Sequence, residues 1–123
     1  MTYYSGFVLA VPTANKQKYI DHAQKAWPFF ERRGAIRMVE NWGVDVPHGK
    51  VTDFYRASQA KDDETVLFSW IEWPDRATAD AAFQNMMEDP DMQAMSEMPF
   101  DGMRMMWGGF EPIVDVSQKE AVA

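Results

Sequence analysis

The sequence predicts an α+β domain, a four-stranded antiparallel sheet with two helices on one face. Three observations predict it. Four short segments are rich in the apolar and aromatic residues that suit a pleated surface. Two longer segments repeat their apolar groups at helical spacing. Proline, glycine and aspartate stand at the joins, where they end or start elements.

Residues 4–11, YSGFVLAV, read as the first strand, and Pro12 ends it. Thr13 is a candidate N-cap, its hydroxyl free to accept from an early helix amide. Over 14–33 the apolar positions Tyr19, Ile20, Ala23, Trp27 and Phe30 give a helix; Pro28 predicts a kink, and Gly34 a stop. Residues 35–43, AIRMVENWG, read as the second strand. Residues 44–62 are a long connection with turn formers at Pro47, Gly49, Lys61 and Asp62 and at the adjoining Asp63; in a small domain such a length is often functional. Residues 64–73 form the third strand. Asp75 caps a second helix with apolar positions Ala79, Ala82, Phe83 and Met86, and DPDMQAM begins a further short helical turn. Residues 103–114 read as the last strand, where Gly108–Gly109 marks a bulge or a close backbone approach.

This order, βαββαβ with two right-handed crossovers, is the ferredoxin-like arrangement. It leaves one question in FSWIEWP, residues 68–74. Phe68, Trp70 and Glu72 point to one side and Ser69, Ile71 and Trp73 to the other, so both faces carry bulky apolar groups. Helices cover one face. Large apolar patches are rarely left bare, so a second copy of the sheet is expected on the other, as a homodimer.

The 123 residues, 46% hydrophobic, fit one domain over residues 1–116, followed by a disordered tail at 117–123. The net charge of -7 and the scatter of basic residues disfavour nucleic acid as a partner. With no cysteine, disulfides, thiolate metal sites and a cysteine nucleophile are excluded. The opening residues carry no signal-peptide pattern or membrane span, so no membrane partner and a cytoplasmic location are expected.

The segments GFVLAVPTANKQKY, VENWGVDVPHGKVTDF, ETVLFSWIEWPDRATAD and MPFDGMRMMWGGFEPIVD resemble the bacterial YbaA-like family of unknown function. The resemblance runs over roughly residues 5–115. It implies a dimeric α/β barrel, a superfamily that holds small monooxygenases, haem-degrading enzymes and isomerases, and also members without known activity. No catalytic residue is carried over from it.

The candidate chemistry therefore rests on the residues. Asn41, Trp42, Trp70, Glu72, Trp73, Trp107 and Glu111 fall in or beside strands, where alternate positions would line a pocket between the sheet and a partner subunit. Glu72 is a catalytic candidate because a carboxylate among tryptophans is shielded from water, which suits proton transfer. In a regular strand, adjacent Asn41 and Trp42 cannot both face one cavity. His48, in the turn VPHGK, is the second catalytic candidate; His22 lies beside the apolar stripe of the first helix. Arg37, Arg56 and Arg104 can anchor an anionic group, and Asp101 is placed to pair with Arg104. Met92, Met95 and Met98 are spaced by three, but gap filling or a methionine-lined pocket wall over 86–106 is favoured over copper, and no cofactor or metal is expected. The expected function is binding or transformation of a small aromatic or hydrophobic molecule, monooxygenase-like by analogy; the alternative is a non-catalytic homodimeric binding or accessory protein.

Overall fold

The computed structural model describes residues 2–86, 88–93 and 98–118. Its elements are β1 (Tyr3–Pro12), α1 (Lys16–Arg32), β2 (Arg37–Trp42), α2 (Phe54–Ser58), β3 (Glu64–Trp73), α3 (Arg76–Met86), α4 (Pro90–Gln93) and β4 (Met106–Phe110). The strands form one antiparallel sheet of order β2-β3-β1-β4, as the ferredoxin-like connection requires. Among the described residues, no helix is long and apolar enough to cross a membrane.

The side-chain question in FSWIEWP has a definite answer. Ser69, Ile71 and Trp73 are buried beneath the helices, whereas Phe68, Trp70 and Glu72 face the other way. Helix α1 turns Tyr19, Ala23, Ala26, Phe29 and Phe30 inward at helical spacing, and α3 adds Ala79 and Ala82. Trp73 is fully buried at their meeting point. Its ring meets Phe30 and Phe83, and its Nε1 donates to Ser5 Oγ at 3.1 Å, so the indole's one polar atom is satisfied.

Several local expectations change. Thr13 does not cap α1; it opens a 3-10 turn, Thr13–Asn15, and its Oγ1 bonds Thr65 Oγ1 instead. The helix runs on through Pro28 to Arg32, and Gly34 follows at φ 101, a backbone that favours glycine. Asp75 does stop a loose helix end, accepting from the Thr78 amide at 2.8 Å. The last strand is shorter than expected: Gly102–Arg104 is a 3-10 turn, and the chain leaves the sheet after Phe110. The close approach at the glycine pair is present. A Cβ on Gly109 would collide with the Tyr3 ring, and the Phe110 ring lies against Gly6 and Gly108.

The long connection is folded. Asp53 caps α2 by accepting from the Arg56 amide at 2.8 Å and also holds the Gly49 amide. α2 packs on β1 and β3 on the face opposite α1, with Phe54 beside Phe68 and Ser58 buried. The helices therefore do not all share one side: α2 covers part of the second face, and Phe68, Met106 and Phe110 stay 45%, 46% and 59% exposed there. The tail expected over 117–123 is described only to Gln118; the rest lies outside the described residues.

Candidate functional site

The layer between helices and sheet is not filled solid. A cavity of about 520 Å³ lies there, bounded by β1, α1, α3 and the stretch before β4. Its lining is dominated by aromatic residues (Tyr3, Phe7, Phe30, Phe83, Phe100, Trp107) and by Met38, Met86, Met92, Met98 and Met105. Unbranched thioethers fill irregular space and adapt to different shapes, which makes a compliant wall. The wall is tied at two points. Asn15 Nδ2 donates to the Pro99 carbonyl at 3.0 Å. Arg104 makes two 2.7 Å bonds to Glu64 and a 2.9 Å bond to Asp101. The Glu64 carboxyl is lowered to about 2, chiefly by the hydrogen bonds from Arg104.

Polar groups of this cavity come from alternate positions of β2 and β3 and from one face of α1, with Ser5 of β1 and Asp80 of α3 also in its lining. Glu40 and Ser69 oppose each other across the two strands and both face the helices. Tyr19 O–H donates to Glu40 Oε1 at 2.9 Å. Burial pushes the Glu40 carboxyl above its ordinary value, and the hydrogen bonds from Tyr19 and Ser69 only partly offset that. Burial, and then the Glu40 charge, raise the Tyr19 phenol as well. His22, one helical turn along from Tyr19, also lines the cavity; burial and then Lys25 lower its pKa, favouring the neutral imidazole. Its ring meets Phe100 edge-on at 6.1 Å. The arrangement offers a proton-accepting carboxyl, a phenol and a neutral imidazole in an apolar chamber, the inventory of acid–base chemistry.

A second recess, of about 600 Å³, lies outside this chamber between α1 and the edge strand β2. It shares Tyr19, Ala23, Met38 and Glu40 with the chamber, so the Tyr19–Glu40 pair stands in the partition. Lys16 Nζ sits 5.5 Å from the Trp42 ring centre at this recess.

The residues singled out from sequence are distributed around the molecule rather than gathered. Trp107 lines the inner cavity; Trp42 and Arg37 line the outer recess. Trp70, Glu72 and Asn41 are on the opposite face, whereas the cavity lies between the sheet and the chain's own helices and not on the face where a partner is expected. Asn41 Nδ2 is buried there without a hydrogen-bond acceptor among the described residues. His48 is exposed in the 44–62 connection, stacked on Tyr55 at 4.3 Å, its Nδ1 3.7 Å from Asp53. Arg56 bonds the Gly49 and Lys50 carbonyls of the same loop. Arg104 is engaged by Glu64 and Asp101, and Glu111 is exposed just beyond β4. Among the described residues no group of three or more His, Asp or Glu is placed to hold a metal ion. Of the methionine triplet, Met92 and Met98 face the cavity and Met95 lies outside the described residues.

Sequence reading passed over Glu40 and took Tyr19 for a core position. The available signal was the period of two in β2: Met38, Glu40 and Trp42 share a face, and Glu40 is the acidic member of an otherwise apolar row.

Comparison with known proteins bears on the family and the fold. A family described as a protein of unknown function (DUF1428) matches residues 2–102. The uncharacterized protein YbaA of Escherichia coli K12 is 54% identical over 116 residues, covering 94% of this chain and 99% of that protein; YbaA of Shigella flexneri matches equally. Two solved structures share the fold. A dimeric ferredoxin-like protein from an uncultured marine organism has a TM-score of 0.56 at 13% identity, over 94% of this chain and 100% of that one. A mutant of SnoaB, a cofactor-independent oxygenase from Streptomyces nogalater, has a TM-score of 0.55 at 16% identity, over 95% of this chain and 98% of that one.

Proposed function

The chain belongs to the DUF1428 family of unknown function, and we propose that it binds a small, largely apolar molecule in the chamber between its helices and sheet. One observation carries the reading: a raised-pKa carboxyl, Glu40, held by a tyrosine inside an apolar cavity of about 520 Å³. That volume lies in the usual range of small-molecule sites, which are mostly apolar with a few converging polar groups. A ligand with a dissociable proton fits best, since Glu40 accepts a proton and Tyr19 and His22 can donate to or orient the anion that forms. A cofactor-independent oxygenase on the same fold is a precedent for such chemistry, by likeness of fold alone. The second part of the reading is a homodimer formed through the open face, supported by the half-exposed Phe54, Phe68, Met106 and Phe110, in a protein whose expected location is the cytoplasm.

The test uses the methionines as reporters. With methyl-labelled methionine, a panel of flat phenols, aromatic acids and short fatty acids is added to the protein and methyl resonances are followed. The expected hit shifts Met38, Met86, Met92, Met98 and Met105 and spares exposed Met103, and its affinity loses its pH dependence in Glu40→Gln. A panel that never moves the cavity methyls would sink the chamber as a binding site and favour the non-catalytic accessory reading.

A further inference from the structure

Two parts of the molecule lack a partner within the chain, and they match each other. The first is the outer recess between α1 and β2. Strand β2 pairs with β3 on one side only, so among the described residues its other edge is free, beside exposed Ile20 and Ile36. A free edge next to a helix is the geometry that accepts an added strand: main-chain hydrogen bonds supply affinity, and the groove receives alternate side chains. The second is the segment 111–118, EPIVDVSQ. It follows β4, joins no helix or strand, and leaves Ile113 96% and Val116 87% exposed, with Val114 exposed beside them. Three β-branched residues in four positions favour an extended strand over a solvated coil.

We propose that segment 111–118 of one copy docks in the outer recess of a second copy, as an added strand on the free edge of its β2. This rests on the homodimer reading and goes beyond it, because it names a clasp outside the face-to-face contact. Charge agrees at the rim: the segment carries Glu111 and Asp115 and no base as far as Gln118, while Lys16 and the edge residue Arg37 border the recess, whose one carboxyl, Glu40, is engaged by Tyr19 in the partition. Connectivity agrees too. A twofold axis running along the strands between two open faces exchanges the edges of the sheets, so β4 of one copy stands beside β2 of the other. The segment starts where β4 ends, at Phe110. Its own copy's β2 is instead three strands away across the sheet. Docking would also cover the outward side of the Tyr19–Glu40 partition, so each chamber would be closed to water by the other subunit's C-terminal segment.

The experiment compares the full chain, a chain stopped after Phe110, and the full-length double variant Ile113→Asp with Val116→Asp. All helices and strands of the described residues lie before the stop, and the double variant guards against a folding defect in the shortened chain. Sedimentation equilibrium gives the dimer dissociation constant, and hydrogen exchange follows the β2 amides as the protein is diluted. The expected result is a dimer weakened about tenfold or more in both altered chains, the scale of losing central apolar contacts. The Arg37–Trp42 amides should exchange correspondingly faster in both, and faster on dilution of the full chain. Altered chains that dimerise like the full chain, with unchanged β2 exchange, overturn the clasp and leave the homodimer standing. Protection of β2 that depends on the segment but not on concentration overturns it as well, placing the segment on its own chain. A full chain that stays monomeric at every concentration removes the homodimer reading and the clasp with it.

Discussion

The two faces of β3 carry similar residue types and meet different fates. Ser69, Ile71 and Trp73 are buried under α1 and α3, and Phe68, one step along, is 45% exposed. Trp73 and Phe68 are both large aromatics on a central strand, so residue type does not separate them. What separates them is the partner: two long helices on one face, and on the other a five-residue helix that reaches only part of the sheet. Burial energy follows the area actually covered, not the hydrophobicity of the residue.

The contrast can be broken most sharply at Trp73. Replacing it with alanine removes a fully enclosed indole and strands the Ser5 hydroxyl, so a loss of about 3–5 kcal/mol in urea unfolding is expected. A loss no larger than that of an exposed aromatic would mean that the helix layer packs loosely around it.

The next effect concerns the tie that holds the cavity wall to β3. The Glu64 carboxyl is lowered to about 2 in the fold by Arg104, below its unfolded value. Its contribution is therefore complete above the ordinary carboxylate pKa and fades as pH falls from there toward 2. Glu64→Gln should be less stable than the parent at neutral pH, and the gap should close on acidification in circular-dichroism melts. A gap that persists at low pH would point to lost packing instead.

A smaller effect of the opposite sign is expected at Glu40. The fold raises this carboxyl, so it binds the proton more tightly than the unfolded chain and stability falls as pH rises through that interval. Glu40→Gln should remove this fall and match or exceed the parent at neutral pH. Tyr19→Phe should act the other way, costing about 1–2 kcal/mol by leaving the buried carboxylate short of a donor. Carboxyl-carbon NMR should show the Glu40 titration moving further up in that variant.

The smallest change is expected at Phe68. In dilute solution Phe68→Ser should cost about 1 kcal/mol or less, since the ring is half in water already. Raising the protein concentration should widen the difference if the open face meets a second copy. A penalty as large as that of Trp73 at every concentration would erase the contrast between the faces.

Much of the architecture was legible in the chain. The third strand spans Glu64–Trp73 as its residues indicate, Asp75 caps the helix that follows, and Gly34 stands where the first helix stops. These features depend on neighbours a few residues away, whose spacing and backbone preferences are written locally. The candidate site was less legible. Glu72 stood out because Trp70 and Trp73 flank it in sequence, yet Trp73 points to the other face, and Trp70, which shares a face with Glu72, lies with it on the side away from the cavity. Glu40 was hidden because its partner, Tyr19, is 21 residues away on a helix.

The sequence by itself thus determined the order of elements, their ends and the two apolar rows of the sheet, because periods of two and of about 3.6 residues are intrinsic to the backbone. Only the tertiary structure decided which row the helices cover and that the chamber sits on that side. It alone set a tyrosine against a buried glutamate, and it alone left the 111–118 segment without cover. Those outcomes are set by contacts between residues far apart in the chain, where packing, and not local pattern, chooses among arrangements of nearly equal hydrophobic promise.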